Sequence, residues 1–130
     1  MKTATILLLH AAIVLCTFTS CTDGECNHAL LVEADSALMA GRYRAGDSIL
    51  NKVPNNLAHE EDQAYKKLLT LERAFVYGTL SRQDYSLADS LSRYFASCGD
   101  TAKLAKSLCF LANIESATGD APSAMLHLYK

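Results

Sequence analysis

A chain of 130 residues with a formal charge of −2, half of it hydrophobic, has room for one small domain and little more. So mild a charge argues against nucleic acid and against a polybasic membrane patch, and the five cysteines show neither CxxC nor zinc-type Cys/His spacing. Two prolines, six glycines and no tryptophan in an Ala- and Leu-rich background describe a helical globular domain without low-complexity segments.

The chain opens with Lys2, then an apolar run from Ile6 to Leu15, then Thr19-Ser20 ahead of Cys21. The run is shorter than the roughly 20 residues a spanning helix needs, and the sequence turns polar at once in Cys21-Thr-Asp-Gly-Glu-Cys26-Asn. This segment resembles the lipobox leader of bacterial lipoproteins, with Phe18 in place of the usual aliphatic residue. Cys16 competes as the anchor, but bulky Leu15 would sit beside its scissile bond. Asp23 and Glu25, soon after the cysteine, are similar to Bacteroidetes lipoproteins in particular. The resemblance implies cleavage before Cys21, acylation of its thiol and a membrane anchor in the cell envelope. An ordinary secretory leader cut near Ser20, without lipid, is the alternative. Removing residues 1–20 from 130 leaves 110, and losing Lys2 takes the charge from −2 to −3. Residues 21–27 read as a tether and 28–130 as the domain.

Six helices follow. Residues 28–40 carry Leu30, Leu31, Ala34, Ala37 and Leu38 at helical spacing and stop at Gly41. From Tyr43 to about Lys52 the pattern repeats through Ala45, Ile49, Leu50 and Val53, until Pro54-Asn55-Asn56 breaks it. The third and longest helix, about 58–78, has one line of Ala64, Leu68, Leu71 and Phe75, widened by Tyr65, Leu69 and Val76. Asp62 and Lys66 form an i, i+4 pair assigned to its wet side. Ser86-Leu-Ala-Asp89 has the form of a capping box for a helix through Leu91 and Phe95, closed by Gly99. Asp100 or Thr101 caps the fifth helix, through Leu104, Leu108, Leu111 and Ala112 to Gly119. Asp120 opens the last, with Ala124, Met125 and Leu128. No stretch alternates with period two, so the expected fold class is all-α.

Cys26, Cys98 and Cys109 are an odd set that cannot fully pair within the chain. Cys98 ends one helix while Cys109 lies about eight residues, roughly 12 Å, up the next, beyond the reach of a disulfide. Cys109 reads as a small core hydrophobe.

The helices pair into hairpins over about 28–53, 58–98 and 101–130. The third, Ala105 to Lys130, resembles the tetratricopeptide repeat, with Leu108, Leu111, Ala112, Gly119, Ala124 and Leu128 at signature positions. Leu108 stands where tryptophan is common and Glu115 where tyrosine is. The first hairpin matches through Gly41, Tyr43 and Leu50, the middle one in pattern alone. The resemblance implies antiparallel hairpins stacked as a short solenoid. Through Ala37-Leu38, Asp47 to Leu50, Asp89 to Leu91, Tyr94-Phe95, Gly99-Asp100 and Leu104 to Lys106, the chain is also similar to the amino-terminal part of Bacteroidetes lipoproteins with such repeats, many of them sensory or transcriptional regulators. Met125 and Leu128 want a following neighbour, so the chain is expected to be part of a longer protein or to pair there.

No catalytic constellation, metal set or cofactor motif stands out. His59-Glu60-Glu61 lacks a second ligand at i+4 and reads as a solvated first turn. His28 and His127 stand alone, and Ser86, Ser90 and Ser92 have no nearby histidine. Tyr65, Tyr77, Tyr85 and Tyr94 read as packing aromatics. In the repeat family the first helix of each hairpin lines a concave groove, which implies Lys106, Cys109, Asn113 and Ser116 as groove residues. Cys109 replaces the lysine that a clamp for peptide carboxylates would use. The expected function is a lipid-anchored, non-enzymatic module binding a protein or peptide. The runner-up is an outer-membrane lipoprotein that captures glycans, a family of longer chains with aromatic platforms.

Overall fold

The computed structural model describes residues 23–129, and the leader with Cys21 and Cys16 lies outside them. The elements are α1 (Asp23–Met39), α2 (Tyr43–Leu50), α3 (Glu60–Val76), a short 3-10 turn (Arg82–Asp84), α4 (Tyr85–Cys98), α5 (Thr101–Ala117) and α6 (Ala121–Leu128), and no strand occurs among the described residues. Helix α1 takes in residues 23–27, which the composition alone assigns to a tether.

Local chemistry sets the ends. After α5, Gly119 adopts a left-handed φ of 85°. The Asp120 amide then returns 2.9 Å to the Glu115 carbonyl and the Gly119 amide 3.2 Å to Ser116, a Schellman closure that satisfies carbonyls the helix would orphan. Asp100 caps α5 by accepting from the Lys103 amide at 3.0 Å, and Asp120 caps α6 by accepting from Ser123 at 3.2 Å. The cap expected at Ser86 lies five residues earlier. Ser81 and Asp84 form the box around the 3-10 turn, with the Ser81 amide donating to Asp84 at 2.8 Å. Asp89, its expected partner, instead pairs with Arg93 one turn on. The extra turn had no apolar stripe to announce it.

Packing runs between neighbours. Helix α1 packs on α2 and α3, α2 on α3, α3 on α4 and α5, α4 on α5, and α5 on α6. The α1–α2 approach is close. A Cβ on buried Gly46 would stand 2.8 Å from the Leu38 side chain and 3.3 Å from the Ala34 carbonyl, so only glycine fits without a shift.

Two apolar cores result, both using α3. Tyr65 and Leu69 join Leu31, Ala34, Leu38, Leu50, Val53 and Leu57 in the first. Ala64, Leu68 and Leu71 join Ala88, Leu91, Phe95, Leu108, Phe110, Leu111 and Ile114 in the second. The apolar line of the third helix and the residues Tyr65 and Leu69 that widen it thus enter different cores, while Phe75, expected on that line, is exposed. Leu108 and Leu111 are buried as their spacing requires, and Ala112 and Ala124 are buried where α5 meets α6. Helix α6 and the Tyr129 that caps it leave Met125, Leu126, Leu128 and Tyr129 exposed.

The Asp62–Lys66 pair does not form. Asp62 is buried and takes a 2.6 Å hydrogen bond from His28 on α1. Lys66 folds back on the preceding loop, donating to the carbonyls of Val53 (2.7 Å) and Pro54 (3.1 Å) and to Asn55 (2.8 Å). Each side chain found a partner outside its own helix, which spacing within α3 could not reveal.

Candidate binding face

Helix α3 packs on both α1 and α5. Their charged residues meet. Lys106 on α5 reaches Asp35 of α1 at 2.6 Å and Glu72 of α3 at 2.7 Å. Tyr65 of α3 donates its hydroxyl to the other Asp35 oxygen at 2.6 Å. Lys103 stands 4.4 Å above the Tyr65 ring centroid, a cation–π contact, and pairs with Asp100 at 2.5 Å.

The site is partly dry, and its protons are held accordingly. Burial pulls the Lys106 pKa down, but hydrogen bonds to Asp35 and Glu72 outweigh it, so the net displacement is upward and the ammonium is secured. Burial, with the Asp35 hydrogen bond next, drives the Tyr65 hydroxyl far above its usual range and keeps it neutral. For Asp100 the Lys103 hydrogen bonds dominate and lower the pKa.

Of the four residues assigned to the groove, Lys106 is half-buried and committed to the two carboxylates. Cys109, Asn113 and Ser116 follow it at intervals of three, four and three residues and are all exposed, which places them along one face of α5. Asn113 donates to the Cys109 carbonyl at 2.7 Å. The expectation that Cys109 belongs to the core is corrected. Leu108, Leu111, Ala112 and Glu115 occupy the inward register, and Cys109 points to the opposite arc. Cys26, Cys98 and Cys109 are all exposed free thiols.

Asp35 and Glu72 were not singled out from the sequence. Their signal was a charge embedded in an apolar stripe, Asp35 between Ala34 and Ala37-Leu38, and Glu72 after Leu71. Charges at such positions seek partners on other helices. Of the tyrosines, Tyr65 is buried, while Tyr77 sits at the surface with its hydroxyl 2.6 Å from Asp47. Ser86 and Ser90 are exposed, and Ser92 bonds the Asp89 carbonyl of its own helix. His59 is the residue before α3, and Glu60 and Glu61 fall in its first turn.

Chemically, the face offers a neutral rim of thiol, amide and hydroxyl beside charges that are already neutralised in pairs. It suits recognition by shape and hydrogen bonding. Among the described residues, no three His, Cys, Asp or Glu side chains gather as a metal set, and no helix is long and apolar enough to cross a membrane. No protein-family model, curated protein or solved structure matches the chain.

Proposed function

We propose that this chain is a lipid-anchored protein of the bacterial envelope, a short tetratricopeptide-like solenoid whose first-helix face binds a protein or peptide. It serves as the sensory segment of a regulator. The observation that carries this reading is the packing order. Consecutive helices pack on one another and α3 packs on both α1 and α5, which is compatible with a stack of hairpins. An array that stacks this way buries its stripes only between repeats and leaves an extended surface suited to a peptide. Small residues at the α5–α6 contact, Ala112 and Ala124, and the Gly119 turn support the repeat resemblance. Anchoring rests on the leader and on Cys21.

A photo-crosslinking residue at Asn113 tests the binding face in intact cells, with Ser97 on α4 as the control. A peptide-bearing adduct of defined mass from Asn113 alone is the expected result. Equal adducts from both positions would remove the assigned face. Saturable oligosaccharide binding with no peptide adduct would replace the reading with glycan capture. Cys21→Ala should accumulate uncleaved precursor and abolish incorporation of a fatty-acid analogue. Persistent incorporation would move the anchor elsewhere.

A further inference from the structure

A second polar site lies away from the first-helix face, where the start of α4, the end of α5 and helix α6 converge. A cleft of about 460 Å³ opens there, walled by Arg82, Tyr85, Glu115, Thr118, Asp120 and Ser123 among others. That size falls in the range of roughly 300–1,000 Å³ typical of small-molecule sites. Glu115 is the unusual wall. It is only 5 % exposed, yet it carries a carboxylate. Its Oε1 accepts from the Tyr85 hydroxyl at 3.3 Å and faces His127 Nε2 at 3.2 Å. Its Oε2 is buried with no donor, and so is His127 Nδ1.

We infer that this cleft binds a small organic cation that presents a primary ammonium or guanidinium group to Glu115. Glu115 Oε2, buried on a wall of the cleft and without a partner, is an acceptor that asks for a donor. An ammonium brings three N–H groups and a guanidinium five, with no acceptor to conflict. A buried carboxylate oxygen without a donor is also costly to the folded chain, which gives the site a reason to hold a charged donor in preference to a neutral one.

The surrounding field has the matching sign. Burial first, then Glu115, Asp89 and Asp120, push the Tyr85 hydroxyl upward in pKa, so three carboxylates act on one point of the wall. Arg82 lines the same cleft but is exposed. Asp120 is already engaged as the α6 cap, which leaves Glu115 as the carboxylate with an open valence. The site draws nothing from the first-helix face, and the two readings stand or fall separately.

The test uses the full-length chain in detergent micelles and two probes of nearly equal shape. Nα-acetyl-lysine N-methylamide carries the ammonium, and Nα-acetyl-norleucine N-methylamide carries a methyl in its place. Amide chemical shifts are followed through each titration. The expected result is saturable shifts confined to residues 82–86 and 114–127 for the lysine probe, with at least about ten-fold weaker binding of the norleucine probe. Glu115→Gln should weaken the lysine probe by a similar factor while leaving the helical circular dichroism unchanged. Equal binding of the two probes, or no saturable shift from the lysine probe, would mean that solvent alone completes the cleft and would overturn the assignment. If Glu115→Gln fails to fold, the pair of probes on the unaltered chain still decides it.

Discussion

Lys106 and Glu115 sit nine residues apart on α5, each a charged group taken largely out of water, and they end in opposite states. Around Lys106 no buried polar atom among the described residues is left without a partner. Its ammonium bridges two carboxylates, and a tyrosine hydroxyl serves the remaining oxygen of one of them. Around Glu115 one oxygen is shared by two weaker contacts and the other has none. A satisfied network of this kind joins elements together, whereas a half-satisfied one is normally a liability unless something else completes it. The contrast separates a structural polar cluster from one built for a ligand.

The comparison can be broken by substitution. Leu111→Ala sets the scale, because a fully buried leucine between α4 and α5 should lose about 3–5 kcal/mol by urea denaturation. Lys106→Met should follow at about 2–4 kcal/mol, since it strands Asp35 and Glu72 at one-fifth exposure or less. A Lys106→Met chain as stable as the parent would show that the three helices do not depend on their charges. Tyr65→Phe should lose about 1 kcal/mol by leaving one Asp35 oxygen without its donor. Glu115→Gln should change stability by less than about 0.5 kcal/mol or raise it, because a neutral amide is easier to bury than an unpaired carboxylate. A loss of the Lys106→Met size at Glu115 would erase the distinction between the two sites.

Alkali offers a further cut at the paired cluster. Lys106 and Tyr65 both have folded pKa values raised above their ordinary 10.5 and 10.0. The folded state therefore holds their protons more tightly than the unfolded chain. Their contribution is complete below about pH 10 and drains away as the pH climbs through the folded values. Unfolding free energy measured from about pH 9 to pH 11 should fall, and fall less steeply in Tyr65→Phe.

Much of the architecture was legible because it is local. The apolar line of α3 through Ala64, Leu68 and Leu71, widened by Tyr65 and Leu69, announced a helix, but not that the two sets would enter different cores. The capping aspartates Asp100 and Asp120 and the glycine stops placed the turns. What escaped was long-range or a matter of register. Asp62 meets His28 across 34 residues, and Lys106 meets Asp35 across 71. No spacing rule within one helix finds such pairs. Cys109 was misplaced because its chemistry is apolar while its position is outward. Glu115 was visible as an acid where the repeat pattern favours an aromatic, yet its burial became evident only once α6 folded over it.

The Lys106–Asp35 bond also bears on how the chain comes apart. Helices joined only to their neighbours in the chain can open one after another from either end. A bridge from α5 to α1 joins helices far apart in the chain, so α5 cannot detach without disturbing α1. Native-state hydrogen exchange should accordingly show α1, α3 and α5 opening as one cooperative unit. With Lys106→Met, α5 and α6 should begin to exchange on their own, and cooperativity would shrink to the reach of adjacent helices.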